Sequence, residues 1–360
     1  MAAGQAAFVA GRWLIGREGR RVAAIAALTA AGVMGFVLYE LLALGLPVGR
    51  EAPATFDDYH ALRTIFAAAG AGLLVAALLD ARAPGCALDR SAMSPLSIGA
   101  GLISAAAAVA ATALFAADPA AFHAHAQEDR PLEWASALLL IGASGLFAVA
   151  TRRAFATASR LMGLVIAGAG SLALLVIAME EISWGQRLFG FATPEGLAAV
   201  NWQGEFNFHN VQTDLSELLY YGGAGLFLGL LPLLRDLLPA AWLSNPLARL
   251  LPGRGTAIVG APAASFSYGH WDLLPLQFAA LAAVLAMAAW SRAAFRRGHA
   301  LEAFAFAGSA ATVAATQLVF LALGPAMTEL PDSTEYREFF IALGLAWYAF
   351  QAATERRRLA

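Results

Sequence analysis

The stretch from Met179 to Glu217 reads MEEISWGQRLFGFATPEGLAAVNWQGEFNFHNVQTDLSE and joins two long apolar runs. It collects carboxylates, carboxamides, one histidine and one arginine where the chain would leave and re-enter a membrane. Ionisable groups beside hydrocarbon are costly unless they are paired or hydrated, so such a concentration marks a functional site by default. The stretch therefore indicates a polytopic membrane fold and the place where the protein acts.

The composition excludes a soluble globular protein of this length. Hydrophobic residues make up 60% of the chain and charged residues 13%, with a mean hydropathy of +0.65, which leaves too little polar surface. The single Cys86 cannot form an intrachain disulfide or a thiolate metal site. An apolar run over 22–46 follows the N-terminal arginines and is too long for a signal-peptide core, so we interpret it as a retained first span.

Nine apolar runs are long enough to cross a hydrocarbon core, and a shorter tenth segment contains Pro262. We predict an all-α fold, a transmembrane helix bundle of about ten spans that forms a single integral membrane domain over 1–360. Whether the segment at 256–269 spans or re-enters is left open. The spans are expected near 22–46, 60–79, 96–117, 134–150, 161–179, 215–234, 256–269, 273–290, 303–323 and 339–353.

The distribution of arginine sets the expected topology, because short cytoplasmic loops collect positive charge. All 23 basic residues are arginines. With ten spans and both termini in the cytoplasm, only five arginines lie outside, which leaves 18 of the 23 inside. With nine spans, the basic loop at 291–302 and the basic C-terminal tail could not both face the cytoplasm. We therefore expect ten spans with both termini cytoplasmic, in a bacterial cytoplasmic (inner) membrane as the Arg- and Ala-rich composition suggests. The five outer arginines are Arg50, Arg63, Arg130, Arg187 and Arg337.

The outer motif loop over 180–214 begins at the end of the fifth span. If that helix continues, Glu180, Ser183 and Arg187 recur on one face, and the arginine can hold a buried carboxylate ionised. A structural ion pair that closes the helix end is the alternative. The following segment at 190–204 has the character of an amphipathic interfacial helix.

A second helix is expected from about Gln203 into the sixth span. It would carry a polar stripe of Asn207, Asn210, Asp214 and Glu217, and would place Glu205 and His209 one turn apart, where they could share a metal ion or a proton. A hydrogen-bonded structural histidine is the alternative. The candidate catalytic residues are Glu180, Glu181, Arg187, Glu205, Asn207, Asn210, Asp214 and Glu217.

Three residues are candidate metal ligands, namely His209, His270 and Asp272. Two imidazoles with carboxylates suit Zn or another divalent ion, although the turn that holds His270 could be an ordinary hairpin. The outer loops at 57–60 and 123–129 also carry histidines and acids, as a metal-binding tract or a solvated segment would. No Walker A motif, G-x-S-x-G motif or dinucleotide fingerprint occurs in a suitable context, so no cofactor-binding residues are assigned.

The segments EEISWGQR at 180–187 and NWQGEFNFHN at 201–210 resemble a family of uncharacterised bacterial polytopic membrane proteins, and this resemblance implies no particular activity. The spacing of Glu205, Asn207 and Glu217 is faintly similar to that of alkaline ceramidase-like membrane hydrolases. The spacing of the three histidine ligands in those hydrolases is not recognisable in this chain.

Three classes of function fit the sequence, and whether the protein is an enzyme stays open. The leading hypothesis is a metal-dependent hydrolase, or a transferase with Asp57 or Asp58 as its base, that acts on a lipid or lipid-linked substrate at the outer face. An ion-coupled transporter would use Glu180, Asp214 and Glu217 as proton carriers. The third class is a non-catalytic subunit of an envelope assembly. Membrane lipids are the expected partners, and nucleic acid is not expected because the arginines follow the membrane topology.

Overall fold

The computed structural model describes residues 16–46, 49–127, 129–155, 160–239 and 250–354, and all regular secondary structure in these ranges is helical. Ten segments build the bundle. They are α1 (Arg17–Ala43), α2 (Asp58–Asp80), α3 (Pro95–Ala117), α4 (Pro131–Phe155), α5 (Arg160–Glu181), α6 (Thr213–Leu237), α7 (Arg254–Gly260), α8 (Leu274–Arg296), α9 (Ala300–Leu323) and α10 (Asp332–Thr354). Shorter helices lie at Ala87–Arg90, Pro119–Ala126, Gln186–Phe189 and Glu195–Ala198.

Eight of these helices, α1–α6, α8 and α9, are long and apolar enough to cross a membrane. Their outward surfaces carry large apolar side chains such as Leu28, Ile103 and Leu161, each more than 70% exposed. In water so much exposed apolar surface would favour aggregation, whereas in lipid it has no such cost. The all-helical fold is therefore confirmed, and the chain is a multi-pass membrane protein.

The segment expected to span at 256–269 is not one continuous helix. Every residue of α7 is buried, and α7 passes into a 3-10 turn over Ala261–Ser265. Pro262 lies in this turn and has no backbone N–H to continue the α-helical pattern. The helix therefore breaks in the middle of the protein, and a second 3-10 turn over Tyr268–His270 completes the segment. We call residues 254–270 the central segment.

The contacts of the central segment define the two ends of the bundle. At its first residue, Arg254 donates to the carbonyl groups of Ala87 and Ser91, which precede α3. At its last residues, the Gly269 carbonyl accepts from the Ala52 amide, and His270 contacts Glu217 at the start of α6. The central segment thus runs from one end of the bundle to the other.

Close packing against α10 holds the central segment in place. A Cβ atom on Gly344 of α10 would lie 3.0 Å from the Cα atom of Gly260, so the two backbones approach as closely as glycines allow. Near the second end, Phe266 stacks on Phe340 with ring centroids 5.4 Å apart. Tyr336 in turn stacks on Phe122 at 4.2 Å. This aromatic cluster fixes the first turns of α10 beside the end of the central segment.

Arg254 makes the most extensive charged contacts at the first end. Its Nε atom lies 2.7 Å from Asp236 of α6 and its guanidinium lies 3.1 Å from Glu302 of α9. All three side chains are at least nine-tenths buried. The arginine thus ties α6, α9 and the central segment together.

We expect Arg254→Met to lower the free energy of unfolding by about 3 kcal/mol, since it leaves two buried carboxylates without their shared cation. Thermal unfolding of the purified protein in detergent measures the change. Arg82→Met is the matched control, because Arg82 forms an exposed pair with Asp89 and exposed pairs contribute little. Equal losses in the two variants would contradict the role assigned to Arg254.

Candidate functional site

The outer motif loop begins with a sharp reversal of the chain. Helix α5 ends at Glu181, and Ser183, Trp184 and Gly185 follow with φ angles of 45°, 55° and 74°. Positive φ is uncommon for residues other than glycine and indicates local strain. The expected helical continuation therefore does not form, and Glu180 and Arg187 do not share a helical face. Arg187 instead pairs with Asp129 at 2.6 Å and with Glu205 at 2.5 Å.

Glu180 joins the beginning of this loop to its end. Its carboxylate accepts from the indole N–H of Trp184 at 2.6 Å and from the backbone amides of Phe208 and His209 at 2.7 and 2.9 Å. The His209 ring lies 3.4 Å away. Because these donors converge on one carboxylate, Glu180 anchors the loop.

Glu205 is held in a similar way by donors from the first part of the loop. It accepts from the Ser183 hydroxyl and from the Arg187 guanidinium. The Asn207 amide also donates to it at 3.3 Å. Glu205 and His209 therefore contact different partners, and they do not form the shared pair that a helix would give.

The predicted helix from Gln203 is wrong, because α6 begins only at Thr213. Asn201 explains the difference: its side-chain oxygen accepts from the backbone amides of Gln203 and Glu205, a local bond that competes with helix formation. Gly204 adds a φ of 70°. Within the expected interfacial helix at 190–204, only Glu195–Ala198 is helical.

The carboxamides of the loop bond mainly to one another. The Asn201 amide donates to the Asn207 side chain at 2.7 Å. Asn210 accepts from the indole of Trp202 at 3.2 Å and donates to Gln203. Asn207 and Asn210 are buried, so the structure places these two candidate catalytic residues within the framework of the loop.

A second group of polar side chains lies where α5, α6, α10 and the central segment meet. Tyr221 donates to Glu338 with an O–O distance of 2.6 Å, and the carboxyl groups of Glu338 and Glu181 lie within interaction range of each other. Two carboxylates at close range repel each other, which favours a proton on one of them. We name this group the carboxyl network. It comprises Glu181, Glu217, Tyr221, His270, Arg337 and Glu338.

Arg337 is the buried cation of the carboxyl network. It is 3% exposed, and its guanidinium lies 4.5 Å from the centre of the Tyr221 ring. Its two terminal nitrogens make no hydrogen bond with any residue in the described ranges. Together with Tyr221 and Ser267 it lines a small cavity of about 50 Å³, room for a few water molecules.

His270 is buried and lies between two carboxyl groups. Its Nε2 atom lies 3.0 Å from Glu217. On the other side of the ring, Nδ1 lies 3.9 Å from Glu51, and burial raises the pKa of Glu51.

The neighbours of His209 raise its pKa. Burial alone would lower the pKa, but the hydrogen bond to Glu180 and the negative charges of Glu338, Glu180 and Glu217 outweigh burial. His209 therefore lies within electrostatic reach of the carboxyl network.

The three candidate metal ligands do not come together. His209 contacts Glu180, and His270 contacts Glu217 and Glu51. Asp272 instead accepts from the Thr55 amide and lies near His60. Across the described ranges, the group of three possible ligands that does lie within 4.8 Å consists of His123, Glu329 and Asp332.

Sequence reasoning missed half of the carboxyl network, because Tyr221, Arg337 and Glu338 were not among the candidate residues. A signal was present, since Arg337 and Glu338 stand immediately before the apolar run at 339–353. Ionisable residues at the end of a span are functional candidates for the same reason as those in the motif loop.

No family model matches this chain, and neither the curated proteins nor the solved structures contain a significant match, so its chemistry has to be argued from the geometry.

Proposed function

We propose that this chain is an enzyme of a bacterial cytoplasmic membrane that performs acid–base chemistry on a lipid or lipid-linked substrate at the outer face. The reaction is a hydrolysis or a group transfer. The observation that carries the proposal is the close approach of the carboxyl groups of Glu181 and Glu338, which lie near the ends of two different helices.

Two carboxyl groups that share a proton can serve as an acid and a base together. The ionised group accepts a proton from the attacking water or hydroxyl, and the protonated group donates to the leaving oxygen. Tyr221 holds Glu338 in place through its hydroxyl. Arg337 has free donors next to the pair and would stabilise negative charge that develops on the substrate.

An apolar groove between α1, α6 and α8 provides access from the lipid. Its volume is about 550 Å³, and Val33, Leu74 and Phe278 are among its lining residues. At its polar end it reaches Gly49 and Leu218, the residue next to Glu217. An acyl chain in this groove would bring its headgroup towards the carboxyl network, as in other mostly apolar sites with a few placed polar groups.

The motif loop has a supporting role in this proposal. Its polar side chains form their hydrogen bonds within the loop and so position the ends of α5 and α6. These side chains are Glu180, Glu205, Asn207 and Asn210. Among the candidate catalytic residues, Glu181 and Glu217 belong to the carboxyl network, and Asp214 acts on it through its charge.

Ten membrane crossings with cytoplasmic termini belong to this proposal. Eight come from the long apolar helices, and α10 supplies another. The central segment would supply the tenth, because its contacts lie at opposite ends of the bundle.

The proposed topology predicts that the loop at Arg296 and the tail after Arg358 are cytoplasmic. Fusions of a reporter that is active only in the periplasm should be silent at both positions. A fusion at Phe56, between the first two spans, should be active and serves as the control. Periplasmic activity at either of the first two positions would overturn ten crossings.

An ion-coupled transporter is the second candidate. The break in the central segment lies beside a π-helical turn of α6 over Leu226–Leu230, and Leu228 and Gly260 line the same small cavity. Broken helices and π turns are frequent at transport and functional sites. The carboxyl groups, however, lie at helix ends and not halfway along the helices, which favours the enzyme.

The enzyme hypothesis predicts that Glu338→Gln lowers substrate conversion by about 100-fold or more, the usual contribution of a general acid or base. The amide oxygen of glutamine can still accept from Tyr221, so the fold is retained. Glu195→Gln, at an exposed position of the motif loop, is the control.

Mass spectrometry of the lipids in host membranes that express each variant measures the effect. A lipid species that changes with wild type and Glu195→Gln but not with Glu338→Gln supports the enzyme. If the lipids are unchanged, and if proteoliposomes of the wild type show a proton flux that Glu338→Gln abolishes, the transporter hypothesis would replace the enzyme hypothesis.

A further inference from the structure

A second large groove lies between α2, α8 and α9. Its volume is about 790 Å³, within the range of roughly 300–1,000 Å³ typical of ligand sites. Ile65, Leu281, Val313 and Leu318 are among its apolar lining residues, and it shares no lining residue with the groove between α1, α6 and α8. Ala264 and Ala280 line both this groove and the small cavity beside Arg337. The groove is a second apolar site that is open to the lipid.

One end of this groove is acidic. Asp57 and Asp58 line it together with His60 and Trp271, and its described lining includes no arginine. Asp57 accepts from the backbone amide and the ring of His60 at 2.8 and 2.7 Å. Its carboxylate is thus held in one orientation at the mouth of the groove.

Arg63, which follows His60 by one turn of α2, is already paired with another acid. Arg63 is 4% exposed, and its Nε atom lies 2.8 Å from Glu40. It also donates to the backbone carbonyl of Asp272. Because Glu40 already compensates its charge, the carboxylates of Asp57 and Asp58 leave the mouth with a net negative charge.

Carboxylates beside an aromatic ring can bind an ammonium group, because both the negative charge and the face of the ring attract a cation. We propose that this groove binds a membrane lipid whose acyl chain lies between α2, α8 and α9 and whose ammonium headgroup lies at Asp57, Asp58 and Trp271. The headgroup position contains no residue of the carboxyl network, so the proposal does not rest on the proposed reaction.

Native mass spectrometry of the protein loaded with defined phospholipids tests the headgroup. Protein from vesicles of phosphatidylethanolamine should retain lipid, whereas protein from vesicles of phosphatidylglycerol should retain about five-fold less, as expected for loss of one exposed cation contact. Equal retention of the two lipids by wild type would overturn an ammonium site.

The double variant Asp57→Asn, Asp58→Asn should remove this preference. Asparagine still caps a helix, so α2 keeps its first turn. Asp118→Asn is the matched control, since Asp118 is also an exposed capping residue, and its preference should equal that of wild type. A preference that survives in the double variant would contradict the assigned headgroup position.

Ala314→Phe tests the groove itself. Ala314 lines the groove and is exposed, whereas its neighbour Ala315 is exposed on the same helix but does not line it. The phenylalanine at 314 should abolish retention of phosphatidylethanolamine, and Ala315→Phe should leave it unchanged. Melting temperatures close to wild type confirm that both variants fold. Lipid retained by Ala314→Phe at the wild-type level would overturn the site.

Discussion

Each charged group buried in this bundle has to be compensated within the protein, because hydrocarbon offers neither water nor a counter-ion. At the first end, Arg254 meets this demand through Asp236 and Glu302. At the second end the balance differs, because several carboxyl groups act on the single cation of Arg337. The charges at the first end are therefore paired, whereas carboxyl groups outnumber the cation at the second.

The break in the central segment allows this arrangement of charged groups at the second end. A continuous helix would satisfy its own backbone and leave no irregular chain inside the bundle. Because the helix stops at Gly260 and the chain turns twice before His270, a histidine reaches the ends of α6 and α10. Gly344 permits the close approach that keeps α10 beside this segment. The proposed site is thus a consequence of how the middle of the bundle packs.

The sequence predicted the helices well and the motif loop poorly, for physical reasons. Apolar length identifies a candidate span without any knowledge of its neighbours, so the eight long apolar helices were predicted. The course of the loop depends on side chains that accept hydrogen bonds from backbone amides, in place of the carbonyl groups that accept them in a helix. Asn201 caps two amides and Glu180 collects donors from both ends of the loop, and helical spacing cannot anticipate either. Tyr221 and Glu338 meet only through tertiary packing, 117 residues apart.

Glu180 and Glu181 show how the loop and the carboxyl network depend on each other. Adjacent residues on a helix point about 100° apart, so two neighbouring glutamates at the end of α5 cannot serve the same partners. Glu180 is bound by Trp184, Phe208 and His209, which fixes the rotation of the last turn of α5. With that rotation fixed, Glu181 is directed to a different side of the helix, where it approaches Glu338. The dense polar motif of the sequence is therefore the support that sets the geometry of one carboxyl group, and the proposed chemistry lies next to the motif.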